Sequence, residues 1–587
     1  MKRERQLTHF TAVILIILLG LIVYADSLSG KFVWDDGILI NDNPHIRSWV
    51  NIAKIFTESV KGGVKKESNF YRPVQILTYM ADYSLWRFEA AGYHLTNILL
   101  HILAALAVYR LICILFNDIL LSLLAAAFFV SHPIHTEVVT YISGRSDSLA
   151  ALFMLLCLIF YVRDIRLKRA YIYPAALSSY VLALLSRENS LILPLLLLVY
   201  HYSFNERFSL KRFGPILLAI PAYLLARTAV LGPLLPASPY PGSTFLQRLP
   251  GMFVAIAEYT RLFLLPLNQH MEYGYALFSF LDPRAISGLL IILSLIICAV
   301  KMRRTDKVIP FSISWFLVAL IPVSQIYPLN AYMAEHWLYL PSIGLFLLLA
   351  RGLTVLYRNK RFQAAAVSII VILLSFYSCL AIRQNDYWKD PVSFYEKTLK
   401  YAPDSYRIHY NLGIAYSSVG KYEEAVASYK KALTLNPTYE QAYYGLGNAY
   451  AAGGKREEAI TAYKKCIEIT PAYSPAYNNL GRISSDMGNV DEAIALYVKA
   501  VEVDPGCFNA YYNLGDEYRR LKRNKDAIAS YEKALKIDPE DAATHNNLAV
   551  VYYYEKRYDL AIKHCDKAIK LGFGVNPEFL KVLGQYR

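Results

Sequence analysis

NLGIAYSSVGKYEEAVASYKKALTLNP, residues 411–437, decides the C-terminal part of the chain. Its Leu412, Gly413, Ala425 and Pro437 return at a constant interval of 34 residues. Leu recurs at Leu446, Leu480, Leu514 and Leu548, and Gly at Gly447, Gly481, Gly515 and then as Ala549. Ala459, Ala493, Ala527 and Ala561 keep the same step, as do Pro403, Pro471, Pro505 and Pro539. Such a period predicts units of two antiparallel helices, packed closely through the small residues, with Pro ending the second helix. Stacked units bury a continuous core and form a curved solenoid.

A 34-residue unit of this kind is the tetratricopeptide signature. Five copies are expected over 404–571, followed by a capping segment, 572–587. Asn411, Asn479, Asn513 and Asn547 each precede the repeat Leu, with Gly445 in the second copy. An Asn amide donates and accepts, so these four are candidates for gripping the backbone of an acceptor protein. They equally fit repeat residues with local hydrogen bonds.

Upstream the composition changes. Of the 587 residues 55% are hydrophobic and the mean hydropathy is +0.29. Most of that apolarity lies before residue 385, in runs separated by short charged stretches. The runs predict about eleven membrane spans, at 10–24, 95–116, 119–130, 149–162, 171–185, 191–202, 213–230, 286–300, 309–326, 338–350 and 362–382. A further run, 251–267, is interrupted by Glu258, Arg261 and Pro266 and is expected to be interfacial or re-entrant. Basic clusters at the N-terminus, Arg163–Arg169, Arg207–Arg212, Lys301–Lys307 and Arg358–Arg361 place those segments in the cytoplasm. The N-terminus is then inside, while the long first loop 25–94 and the repeats lie on the non-cytoplasmic face. Residues 386–403 are expected to be a linker.

The net charge of +15 follows these juxtamembrane clusters rather than one patch, so nucleic-acid binding is not expected. The seven cysteines form no CxxC and suggest neither a zinc site nor a disulfide framework. A signal peptide is not expected, because the first apolar run lacks a closing small-x-small site. The spans lack the two matching halves of a transporter.

The loops on the outer side hold a set of ionisable residues, and such groups near a membrane are functional candidates. They sit in FVWDDGILINDNPHI (32–46), NFYRPVQILTY (69–79), GYHLTNILLH (92–101), HPIHTEVVTYISGRSDSLA (132–150), SRENSLILP (186–194) and AEHWLYLPSIG (334–344). In this order, ahead of tetratricopeptide repeats, the motifs resemble the transmembrane-and-tetratricopeptide-repeat proteins of the GT-C glycosyltransferase superfamily, which include O-mannosyltransferases. The resemblance covers nearly the whole chain. It implies an all-α protein, a multi-span GT-C membrane helix bundle followed by an α-solenoid. It also implies a sugar, mannose foremost, on a polyprenyl-phosphate donor and a protein hydroxyl as acceptor. Arg187 stands where relatives often carry Lys, and His336 where many carry Arg, which leaves donor choice open.

Transfer from a lipid phosphate needs a base for the acceptor hydroxyl and positive groups on the leaving phosphate. Asp35 and Asp36 are the candidate catalytic pair, Asp36 slightly preferred as base, with its neighbour orienting the acceptor or a possible divalent cation. Arg72, Arg145 and Arg187 are candidates for the donor phosphate, because a guanidinium keeps its charge and binds bidentately. His94, His132, His135 and His336 complete the expected donor site, the HxxH of His132 and His135 being a weak metal signal. Two other readings are a membrane scaffold that recruits partners through its repeats and a lipid-linked transferase acting on a cell-envelope glycan. The membrane is either a bacterial inner membrane or the endoplasmic reticulum.

Overall fold

The computed structural model describes residues 1–587 except Met1, 65–67, 168–171, 233–242, 275, 327 and 330, and except the side chains of residues 1–8. Lys168, Arg169 and the side chains of Lys2, Arg3 and Arg5, part of the basic clusters used for topology, lie outside the described residues. Every regular element among the described residues is helical. Packing divides the chain into two units, Met1–Pro403 and Asp404–Arg587.

In the first unit each of the eleven apolar runs forms a helix, but they are unequal. Among the described residues six helices are long and apolar enough to cross a membrane: His9–Ser29, Ala90–Phe116, Ile142–Leu167, Leu210–Leu231, Pro283–Met302 and Gln363–Trp388. Ile119–Ser131 and Pro133–Thr140 pass together as one pair bent by 56°, where Pro133 follows His132. Of the eleven runs, six helices, or seven with the bent pair, meet the length of a full straight span among the described residues. Tyr173–Ser186, Leu193–Phe204, Val308–Ala319 and Ser342–Arg358 have 12 to 17 residues. At about 1.5 Å per residue they fall short of a hydrocarbon layer of about 30 Å.

Ala90–Phe116 and Ile142–Leu167 are the central pair, with 61% and 72% of their apolar windows buried in protein. Pro283–Met302, at 11%, exposes its Leu and Ile residues as a lipid-facing helix would. The 251–267 run belongs to a continuous helix, Phe245–Leu264, started by a capping box of Thr244 and Gln247. It has no break of the kind a re-entrant segment needs. Glu258 and Arg261 pair at 2.7 Å within it, and Gly288 of the neighbouring helix lies against the Phe253 carbonyl, where any Cβ would collide.

The segment expected as a linker is folded. A 3₁₀ turn, Asp386–Trp388, and the helix Pro391–Leu399 bury Tyr387, Trp388 and Phe394. Trp34 of the first loop packs edge-on to Phe394, and the Lys31 amide donates to the Lys389 carbonyl at 2.8 Å. Its five aromatic residues give it enough apolar surface to dock rather than to swing free.

The second unit is five helix pairs, from Tyr406–Ser418 with Tyr422–Leu435 to Ala542–Tyr554 with Tyr558–Lys570, closed by Pro577–Leu583. The repeat glycine has a definite partner. A Cβ on Gly413, Gly447, Gly481 or Gly515 would meet the ring of Tyr429, Tyr463, Tyr497 or Tyr531 within 2.8 Å. In the fifth copy Ala549 replaces Gly, and the tyrosine's place is taken by Cys565. The methyl added on one helix is matched by the ring removed from the other, as close packing requires.

Candidate active site

The site is organised by one short segment, Tyr141–Asp147, which runs from the end of the helix Thr136–Thr140 into the first turn of the helix beginning at Arg145. The chain doubles back there because Gly144 lies on the backbone of residues 137–138; a Cβ would stand 2.7 Å from the Glu137 carbonyl oxygen. Successive side chains of this segment reach different parts of the loops around it.

At its first end the segment holds the Asp35–Asp36 pair. The Tyr141 hydroxyl accepts from the Asp35 amide at 3.3 Å. Asp36 is 1% exposed and fully committed. Its Oδ2 accepts from the Val33 amide at 3.0 Å, and its Oδ1 from the Ser143 amide at 2.9 Å and the Ser143 hydroxyl at 2.5 Å. Burial nevertheless pushes its carboxyl up to about 7, against the pull of those hydrogen bonds. Asp35 differs: its side chain is 36% exposed, and its carboxylate meets only Lys61 Nζ, at 3.1 Å, among the described side chains. The two carboxylates therefore do not face one cation together. Among the described residues no group of three or more His, Cys, Asp and Glu side chains is placed to hold a metal.

At the other end Ser146 and Asp147 meet two of the expected arginines. Arg72 forms a two-pronged pair with Glu188, at 3.0 and 2.6 Å, and lies 4.3 Å above the Phe70 ring. Burial alone would raise the Glu188 carboxyl, but Arg72 outweighs it and holds it at about 2. Arg187 donates through Nη1 to the Ser146 hydroxyl at 3.0 Å and to the Asp147 carboxylate. Its Nε is buried without a partner. Arg187, Asp147, Asn189, His336, Trp337 and Tyr339 line a narrow cavity of about 30 Å³. His336 is fixed by Glu137, which accepts from its Nδ1 at 2.6 Å and from its amide at 3.0 Å.

The remaining donor-site candidates stand elsewhere. Arg145 is wholly buried, bonded to Asp82, Asn97, Thr78 and the Tyr93 carbonyl, with the Tyr79 ring 4.7 Å away. Its charge is consumed inside the fold rather than offered to a ligand. His132 and His135 are equally enclosed: His132 bonds the Phe263 carbonyl and the Ile134 amide, and His135 the Phe129 carbonyl and the Ser342 hydroxyl. Both rings have spent both nitrogens, so neither is free for a phosphate or a metal. His94 is buried with neither ring nitrogen bonded, its Nε2 packed beneath Gly30. The sequence reading missed Lys61, Ser143 and Ser146. The two serines stood in the quoted ISGRSDS stretch, but nothing marks a Ser as a bridge until its partners are placed.

In the repeats, three of the four asparagines are engaged by neighbouring repeats. The Asn479 amide donates to Asn448 at 2.8 Å and Tyr444 at 3.2 Å, and that of Asn547 to Tyr512 at 3.0 Å and Asp516 at 3.1 Å. Asn513 donates to Asn478 at 2.9 Å and leaves its oxygen open, and Asn411 makes no hydrogen bond to the described side chains.

Tetratricopeptide-repeat family models match residues 406–439, 474–507 and 542–571, and a related TPR-repeat model matches 447–484 and 515–554. A Caenorhabditis elegans protein named protein O-mannosyl-transferase F38B6.6 is 27% identical over 435 residues, 70% of this chain and 61% of its own length. Human protein O-mannosyl-transferase TMTC3 is 24% identical over 451 residues, 68% of this chain and 49% of its own length. The chain thus spans between about half and about three fifths of these relatives. Among solved structures, a crystal structure of MamA is 26% identical over 27% of this chain and 94% of its own, with a TM-score of 0.26. Among its described residues the chain is all-helical and joins apolar membrane-type helices to a tetratricopeptide array, and over about 70% of its length it is similar, at 24–27% identity, to proteins named protein O-mannosyl-transferases.

Proposed function

We propose that this protein is a membrane glycosyltransferase of the GT-C type that moves a mannosyl group from a polyprenyl-phosphate carrier to a hydroxyl of a protein, on the non-cytoplasmic face. The observation that carries the reading is the division of labour along Tyr141–Asp147. A half-exposed carboxylate, Asp35, paired with Lys61, is held at one end, and Arg187 with an unpartnered Nε stands at the other beside His336. The names of the relatives supply the sugar and the acceptor class.

In this reading Asp35, rather than Asp36, takes the proton of the acceptor hydroxyl as its oxygen bonds to the anomeric carbon. The bond from that carbon to the phosphate oxygen breaks, and the polyprenyl phosphate leaves with the electron pair. Arg187 and His336 face the charge that grows on that oxygen, and Arg72 fixes Glu188 beside them. Asp36 is a positioning residue that ties the loop to Ser143. The repeats hold the acceptor protein or a partner.

The test is transfer of labelled mannose from polyprenyl-phosphate mannose to a Ser/Thr-rich protein by purified wild type, Asp35→Asn and Asp36→Asn. Asp35→Asn should lose activity by about a hundredfold or more at an unchanged melting temperature. Asp36→Asn should lose stability together with activity. Wild-type-like transfer by Asp35→Asn would remove the base assignment, and absence of transfer by folded wild type would favour the scaffold reading.

A further inference from the structure

Outside the membrane helices, the first long loop exposes an apolar ridge that packing does not account for. Trp49 is 51% and Val50 90% exposed, and Ile52, Leu85, Trp86 and Phe88 are exposed beside them. A soluble surface scatters such residues; a contiguous group of this kind marks a contact surface.

Three observations identify what it contacts. Trp86 and Phe88 lie within four residues of Ala90, where the helix Ala90–Phe116 starts, so they stand where that span leaves the hydrocarbon. The Trp49 ring nitrogen donates to the Ser84 hydroxyl at 2.9 Å, and the Arg47 guanidinium lies 5.6 Å over the Phe88 ring. These ties hold the two parts of the ridge together, at the level of that membrane boundary. Exposed Arg47, Lys54 and Arg87 flank the apolar residues. Aromatic rings with basic neighbours are the composition that settles at the headgroup boundary, the rings in the acyl region and the cations among phosphates.

We infer that the ridge formed by Trp49, Val50, Ile52, Leu85, Trp86 and Phe88 is a membrane foot, seated in the bilayer leaflet on its own side, that fixes the loop carrying Asp35 and Asp36 against the lipid surface. The inference is independent of the transfer reading and concerns the loop whatever its chemistry.

The test uses the full-length protein reconstituted in phosphatidylcholine vesicles, with acyl chains either plain or brominated, as wild type and as Trp49→Phe. The difference in emission between the two proteins isolates Trp49. Trp49→Phe keeps an aromatic ring at an exposed position, and its melting curve checks that the fold is kept. Brominated chains should quench about half or more of the Trp49 signal, because bromine quenches only at contact and the ring is placed in the acyl region. No quenching by brominated lipid overturns the inference. Iodide added from the aqueous side then separates the reason, since quenching by iodide means a water-exposed ridge and quenching by neither means one covered by protein.

Discussion

Asp36 and Glu335 are acids held in protein without a counter-charge. Glu335 is 3% exposed and accepts from the Gln269 side chain, the His270 amide and the Tyr273 hydroxyl. Burial, helped by Glu137, pushes its carboxyl up to about 8. A carboxyl whose folded value lies above its unfolded one keeps its proton longer in the folded state. As pH rises, the unfolded chain releases that proton first, so stability falls between the two values and levels off above the upper one. The windows are about 4 to about 7 for Asp36 and about 4.5 to about 8 for Glu335. The membrane unit should therefore melt at progressively lower temperature from about pH 5 to pH 8, by up to about 1.4 kcal/mol per pH unit for each proton. Glu335→Gln should flatten the upper part of that slope in a thermal-unfolding series. A melting temperature that rises across this range would contradict the assignment.

At the level of elements, the Tyr141–Asp147 turn and the repeats give opposite lessons in small residues. Gly144→Ala would drive a methyl into the Glu137 carbonyl, which is backbone and cannot step aside. It should cost about 2–3 kcal/mol in the melting of the membrane unit and detach Ser143 from Asp36, lowering transfer as well. In the repeats, Asn479→Ala and Asn547→Ala remove hydrogen bonds between neighbouring units and should each lower array stability by about 1 kcal/mol. Asn411→Ala, which removes no hydrogen bond to the described side chains, should leave the melting curve nearly unchanged and weaken peptide capture, read by titration with an unfolded acceptor segment, whereas Asn513→Ala should also lose its bond to Asn478. Equal loss of peptide binding at all four positions would favour a grip that uses the whole ladder.

The sequence made some of this plain and hid the rest for physical reasons. A period of 34 is legible because each repeat must present the same small residue to its own partner ring. Helicity of the apolar runs was equally legible, whereas the length of each helix was not, since Leu193–Phe204 looks as apolar as the long helices and has 12 residues. Among the candidate site residues, Arg145, His132 and His135 read as ligands because they are ionisable groups in a membrane protein. Only placed partners such as Asp82 and Ser342 reveal charges and nitrogens already spent. The difference between Asp35 and Asp36 is likewise a matter of which of two adjacent carboxylates turns inward, and identical residue types carry no such information.

For the whole molecule, each unit owns its core, and the repeat unit is closed by its last helix. Val575 and Leu583 are buried against the fifth repeat, with Phe579 beside Tyr553 and Tyr586 stacked on Tyr558 at 3.6 Å. A fragment of residues 404–587 should fold alone as a helical, cooperatively melting domain. Cutting it back to residue 571 should expose that apolar end and lower its midpoint by several degrees, followed by circular dichroism. An unchanged midpoint would mean that the final helix is ornamental to the array.

The exchange of Gly and Tyr for Ala549 and Cys565 also bears on how such an array can be inherited. Units that share the Gly–Tyr pair can be copied or deleted whole, and a crossover between them leaves every ring facing a glycine. A crossover within the fifth unit, between positions 549 and 565, would set the Ala methyl against a tyrosine ring and produce a misfit in the offspring. Among the five repeats, the fifth is therefore the one that cannot be recombined internally with the others without this misfit.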